Sequence, residues 1–94
     1  MGRNLDIKNL ILLSMMKEKG FHYLSKNMPL TEEFITIHAD SVYDNSVWRS
    51  LLLNQKHINP SFFDQFRGDM DDITRNILLR KKIMFDIVNL LRRI

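Results

Sequence analysis

From Asp71 to Arg93 no glycine or proline interrupts the chain, and apolar residues return every three or four positions. Ile73, Ile77, Met84, Ile87, Val88, Leu91 and Ile94 form a stripe at the helical period, opposed by a polar line of Arg75, Lys82, Asp86, Asn89 and Arg93. Asp69, Asp71 and Asp72 precede this segment and Arg92 and Arg93 end it, which suits the dipole of a helix over residues 71–93. Leu78, Leu79, Phe85 and Leu90 spill beyond a single face. A helix of this kind is either central to the fold or half of an oligomer interface.

Composition agrees with a helical chain. Leu and Ile together supply 23 positions, against three each for Val and Thr, and three Gly with two Pro are too few for a turn-rich β-sandwich or barrel. With 45% hydrophobic and 27% charged residues, the chain has the balance of a globular domain rather than a disordered tail. Ninety-four residues are expected to form one domain, residues 1–94, because the chain is too short for two independent cores. The absence of cysteine excludes a disulfide scaffold, a thiol nucleophile and thiolate-held zinc or iron–sulfur sites. No apolar run approaches the roughly 18–20 residues needed to cross a bilayer, and no secretory leader opens the sequence, so a cytoplasmic protein is expected, the cytoplasm of a host cell included.

Local signals divide the remainder. A helix is expected from about Leu5 to Lys19, capped by Asn4 or Asp6 and stopped by a left-handed Gly20. Its stripe is Ile7, Leu10, Ile11, Ser14 and Met15, widened by Leu12, Leu13 and Met16. Residues 21–28 read as a short helix closed at Met28-Pro29. Thr31 reads as the N-cap of a helix ending near Asp40, with Glu32 and Glu33 in its first turn. Asp44-Asn45-Ser46 offers the next cap, before an apolar face of Val47, Trp48, Leu51 and Leu52. Asn59-Pro60 opens a helix that carries Phe62, Phe63 and Phe66 and stops at Gly68.

Charge is distributed in three blocks. Residues 1–30 carry five basic and two acidic side chains, residues 31–72 three basic and eight acidic, and residues 73–94 six basic and one acidic. An acidic middle thus lies between two basic ends, an arrangement suited to internal neutralisation, to a dimer, or to two differently charged faces.

An internal repeat is also legible. Phe21-x-x-Leu24-x-x-Asn27-Met28, followed by Leu30-Thr31-x-x-Phe34, matches Trp48-x-x-Leu51-x-x-Asn54-Gln55, followed by Ile58-Asn59-x-x-Phe62. Each unit is a helix, a polar turn with a cap, and a second helix, and neither can bury its apolar face alone, so the two should stack. In Leu30-Thr31-Glu32-Glu33-Phe34-Ile35, Asp40-Ser41-Val42, Trp48 and Gln55, the unit resembles short tandem helical repeats of large DNA virus and phage proteins. Their pattern reads Leu-Ser-Glu-x-Phe-Ile, then Asp-x-Val-x-Trp, then a hydrophobe and Gln before the next Leu-Ser. Inserted residues displace Trp48, and the second copy has Pro60 and Ser61 where that pattern has Glu. The resemblance covers residues 21–72, implies a viral type of origin, and carries no functional residue, since those repeats have no settled activity.

Chemistry finds little support. Glycines at 2, 20 and 68 build neither a P-loop nor a dinucleotide fingerprint, and no Gly-x-Ser-x-Gly elbow is present. His22, His38 and His57 are too widely spaced for a helical metal pair, and an EF-hand beginning at Asp69 meets Thr74 and Arg80 where Gly and Glu are required. No catalytic, cofactor-binding or metal-binding residue is therefore assigned, and a non-enzymatic protein without cofactor is expected.

Two binding readings remain. Broad apolar faces on the first and last helices, with six Met and six Phe, point to a protein-interaction module that self-associates, plausibly a homodimer, or docks on a protein partner, as a viral or phage adaptor or inhibitor would. Leu79, Met84, Phe85 and Leu90 are the candidate partner-binding residues, whereas Trp48, Phe62 and Phe66 are expected in the core. The alternative is nucleic-acid binding through Arg75, Arg80, Lys81, Lys82, Arg92 and Arg93. Against it, a helix-turn-helix between Thr31 and Leu53 would present only Arg49 on its second helix. A membrane surface is not expected as partner. The expected fold is an all-α compact bundle of four to six short helices with a long C-terminal helix, built on two stacked helical hairpins.

Overall fold

A computed structural model describes residues 3–93, with side chains described at residue 7 and from residue 10 onward. The expected caps Asn4 and Asp6, and Ile94 of the C-terminal stripe, lie outside those described residues and side chains. The architecture is all-α: α1 (Arg3–Lys19), α2 (Phe21–Asn27), α3 (Glu32–His38), a short 3-10 turn (Ala39–Ser41), α4 (Asn45–Asn54), a long 3-10 helix (Pro60–Asp69) and α5 (Asp72–Arg93).

The boundaries follow from local chemistry. Gly20 takes φ 89°, a conformation that only glycine adopts without strain, and its N–H closes α1 on the Met16 carbonyl at 2.8 Å. Met28 is extended ahead of Pro29 and ends α2. Thr31 Oγ1 accepts the Phe34 N–H at 3.0 Å, Asp44 Oδ1 the Ser46 N–H at 2.9 Å, and Asn59 Oδ1 the Ser61 N–H at 3.0 Å. Asp71 Oδ1 accepts the Thr74 N–H at 2.8 Å and so caps α5. Each satisfies a donor that a helix start leaves open.

The two units identified in the sequence form two hairpins, α2–α3 and α4 with the long 3-10 helix, and α2 lies along α4. Leu24 and Leu51 are both fully buried at this contact. Corresponding asparagines make the same bond one turn back: Asn27 Nδ2 to the Tyr23 carbonyl at 3.0 Å, and Asn54 Nδ2 to the Ser50 carbonyl at 2.9 Å. Trp48 stacks on Phe66 with ring centroids 5.0 Å apart, and both lie in the core, while Phe62 is half-buried at its edge.

One expectation is corrected, and the inward faces of α1 and α5 are fixed. The segment from Asn59-Pro60 is a 3-10 helix rather than an α-helix and runs through Gly68 to Asp69. At three residues per turn, Pro60, Phe63 and Phe66 align in one row, which puts the two buried rings on one line against the core. In α1 the face turned inward is Leu12, Met15 and Met16, and Ile7, Leu10 and Ile11 are exposed. In α5 the buried residues are Thr74 and Leu78, with Phe85 half-buried, whereas the stripe residues Ile73, Met84, Ile87, Val88 and Leu91 are exposed.

The orientation of α5 shapes the molecule. At 100° per residue, the buried line of α5 lies about 110° around the helix from the apolar stripe, so most of that stripe faces away from the body. From Met84 to Arg93 every residue except Phe85 and Asn89 is exposed. The radius of gyration is 14.1 Å, against about 12 Å for a compact chain of this length, consistent with a helix that overhangs the body.

Candidate interaction surface

Among the described residues, α5 carries the longest run of exposed apolar side chains. Ile73, Ile77, Met84, Ile87 and Leu91 lie along one line of this helix, with Arg80 on the same line. Their spacing alternates four and three residues, the seven-residue rhythm of a helix seam made for a second helix. Leu79, Ile83 and Leu90 widen the seam on one side and Val88 on the other. Ile73 is 66% exposed and Leu91 62%, whereas Leu78 on the inward line is 2% exposed.

The start of α5 is fixed to the body by polar bonds. Arg49 on α4 donates to Asp71 Oδ2 at 3.3 Å and to Thr74 Oγ1 at 3.2 Å, and Asn45 Oδ1 accepts the Asp71 N–H at 2.9 Å. Hydrogen bonds from Thr74, followed by the Arg49 guanidinium, hold the Asp71 carboxyl below the usual carboxylate range. Further along, Lys82 Nζ reaches Asp64 Oδ2 at 2.7 Å. Beyond Phe85 no such tie is present among the described residues.

Of the expected partner-binding residues, Leu79, Met84 and Leu90 stand exposed on α5. Phe85 is corrected: it is half-buried on the inward side, where it lines a small pocket with Leu52, Ile58, Phe63 and Lys81. Ile73, Ile83, Ile87 and Leu91 belong to the outer face and were missing from that expectation, although the four–three spacing of Ile73, Ile87 and Leu91 with Ile77, Arg80 and Met84 was available in the sequence. Met84, Ile77 and Arg80 also line a shallow groove with Lys81 and with Leu53 of α4. A second exposed apolar face, Ile7, Leu10 and Ile11, lies on α1.

The basic residues divide into two groups. Arg75 Nε donates to the Arg67 carbonyl at 2.9 Å with Asp72 3.8 Å from its guanidinium, and Lys82 is held by Asp64, so both serve the fold. Arg80, Lys81, Arg92 and Arg93 have no carboxylate within ion-pair distance among the described residues. They do not form one patch: Arg80 sits within the apolar seam, Lys81 on its inward flank, and Arg92 and Arg93 at the helix end.

The histidines stay apart. His22 Nε2 meets Ser50 Oγ at 3.1 Å, His57 Nε2 meets the Leu30 carbonyl at 2.7 Å, and His38 lies 4.5 Å from the Phe34 ring and 5.9 Å from Phe21. Burial beside those rings lowers the His38 pKa. Among the described residues no three His, Asp or Glu side chains converge as metal ligands, and no helix is long and apolar enough to cross a membrane. No family model, curated protein or solved structure matches this chain.

Proposed function

We propose that the protein is a non-enzymatic interaction module whose working surface is the outer face of α5. The observation that carries this reading is the orientation of that helix: Ile73, Met84, Ile87 and Leu91 of its seam stand exposed, and only Ile77 packs against the edge of the core. An exposed apolar patch of this extent exceeds what a monomer of this size ordinarily leaves to water and marks an interaction site. Met84 supplies an adaptable contact, and branched Ile and Leu side chains offer knobs for a facing helix. The resemblance of residues 21–72 to tandem viral repeats extends the proposal to an adaptor or inhibitor that acts on a protein of a host cell, in its cytoplasm.

The test is site-specific photo-cross-linking in the producing cell, from a photoreactive residue at Met84, with Tyr43 as an exposed control on a loop. A protein adduct from position 84 that is absent from position 43, and lost with Ile87→Asp, supports the reading. Absence of any protein adduct from position 84 overturns it.

Nucleic-acid binding is the second reading, supported by the unpaired state of Arg80, Lys81, Arg92 and Arg93. Fluorescence anisotropy with labelled DNA and RNA at about 50 and 200 mM salt tests it, because phosphate contacts weaken by orders of magnitude over that range. No binding at the lower salt removes it.

A further inference from the structure

We infer that the occupant of the α5 face is the α5 of a second copy, packed antiparallel across a two-fold axis near residue 82. This inference rests on the interaction reading above and names its partner. In this register Ile73 lies opposite Leu91 of the second copy, Ile77 opposite its Ile87, and Arg80 opposite its Met84. Every position of the seam then meets a seam position, and the symmetry repeats each layer.

Charge selects the direction. A parallel pair would place Arg80 against Arg80 inside an apolar seam, set the two acidic starts level with each other and the two basic ends likewise, and align the helix dipoles. The antiparallel pair separates the two arginines of the seam and lays each against a methionine, whose thioether chain accepts the aliphatic stem of Arg80 while its head reaches the rim. It sets the acidic start of each helix level with the basic end of the other, and it opposes the helix dipoles. One like-charge approach remains, Lys81 beside Lys81 on the flank, against attraction at both ends.

Extent and shape agree with a second helix of this length. α5 has 22 residues and so spans about 33 Å. Its eight exposed large apolar side chains are on average about half uncovered, on the order of 800 Å2, the area each partner gives to a standard interface. The groove between α5 and Leu53 of α4 receives Met84 and Ile87 of the second copy, since Ile77, Arg80 and Met84 line it. Pairing also explains how the overhanging last turns hold their helix, which short isolated segments do poorly in water.

The chain has no cysteine, so introduced cysteines report geometry without background. Light scattering after size exclusion at about 100 µM, well above the micromolar constants of weak interfaces, should give twice the 11.2 kDa of one chain. Ile87→Asp should weaken self-association about 100-fold, as burial of an unpaired carboxylate does, with the cooperative unfolding of the body retained by circular dichroism. Ile37→Asp, at an exposed apolar position on α3, should leave the mass unaltered. Ile73→Cys mixed with Leu91→Cys should give a cross-linked pair on oxidation, Ile83→Cys should cross-link with itself, and neither Ile73→Cys nor Leu91→Cys should do so alone.

A monomeric mass overturns the inference, and a protein adduct of foreign mass from position 84 then leaves the interaction reading standing. Dimers that survive Ile87→Asp overturn the assignment to α5. Cross-linking of Ile73→Cys with itself overturns the antiparallel direction.

Discussion

Gln55 completes the hydrogen bonding of the turn at Leu30, a turn on the other hairpin. Its Oε1 accepts the Leu30 N–H at 2.8 Å, and its Nε2 donates to the Ser25 carbonyl at 2.9 Å and the Met28 carbonyl at 2.8 Å. His57 Nε2 lies 2.7 Å from the Leu30 carbonyl. Two residues of one hairpin turn thus bind the backbone groups that the Met28-Pro29 break leaves open on the other. The amide is 3% exposed, so water cannot take over these bonds.

Gln55→Leu should therefore cost about 3 kcal/mol or more, since a buried amide N–H and two carbonyls lose their partner together. Gln55→Glu should be no better, because a carboxylate oxygen would face the Ser25 and Met28 carbonyls. Urea unfolding followed by circular dichroism measures both. A loss under about 1 kcal/mol for Gln55→Leu would show that the turn does not depend on this side chain.

Asp71 has two jobs of unequal weight. As cap of α5 it satisfies the Thr74 N–H, and its ion pair with a part-exposed Arg49 contributes less. Asp71→Ala should lose the cap, and Asp71→Ser should recover most of the loss without restoring the charge. Equal destabilisation by the two variants would assign the greater weight to the ion pair.

Two leucines on α5 should behave in opposite ways. Leu78→Ala should cost about 3 kcal/mol by opening a cavity in the core. Leu91→Ala should change the unfolding of dilute, dissociated protein by less than about 0.5 kcal/mol, because its side chain touches little of its own chain. Chemical denaturation at low concentration distinguishes them, and a large loss for Leu91→Ala there would contradict the orientation of the helix.

Acid should weaken the fold in two stages. Burial lowers the His38 pKa in the folded protein, so its stabilising contribution is complete above the ordinary value of about 6.5 and is lost as pH falls through the lower folded value. Asp44 and Asp71 have lowered pKa values through hydrogen bonds from Ser46 and Thr74, so their contributions hold above about pH 3.9 and disappear as pH falls below it. Thermal unfolding between pH 8 and pH 3 should show both declines. His38→Phe should remove the first and leave the second.

Helix positions were legible along the chain because the signals that set them are short-range. Thr31, Asp44, Asn59 and Asp71 each bind an N–H two or three residues away, and Gly20 and the Met28-Pro29 step act through their own backbone angles. Gln55 stood in the repeat as a marked residue, but its task was invisible there, since its partners lie 25 to 30 positions away.

The sequence by itself determined an all-helical chain, its caps and breaks, and two similar hairpins, all of which depend on a few neighbouring residues. Only the tertiary structure decided which face of α5 and of α1 turns inward. Both helices carry apolar residues around more than half of their circumference, so periodicity alone offers two competing faces. The choice fell to Thr74, Leu78 and Phe85 through contacts with α4 and the long 3-10 helix, where Arg49 and Asp64 hold Thr74 and Lys82 in place. That choice left most of the stronger stripe, Ile73, Met84, Ile87 and Leu91, on the outside.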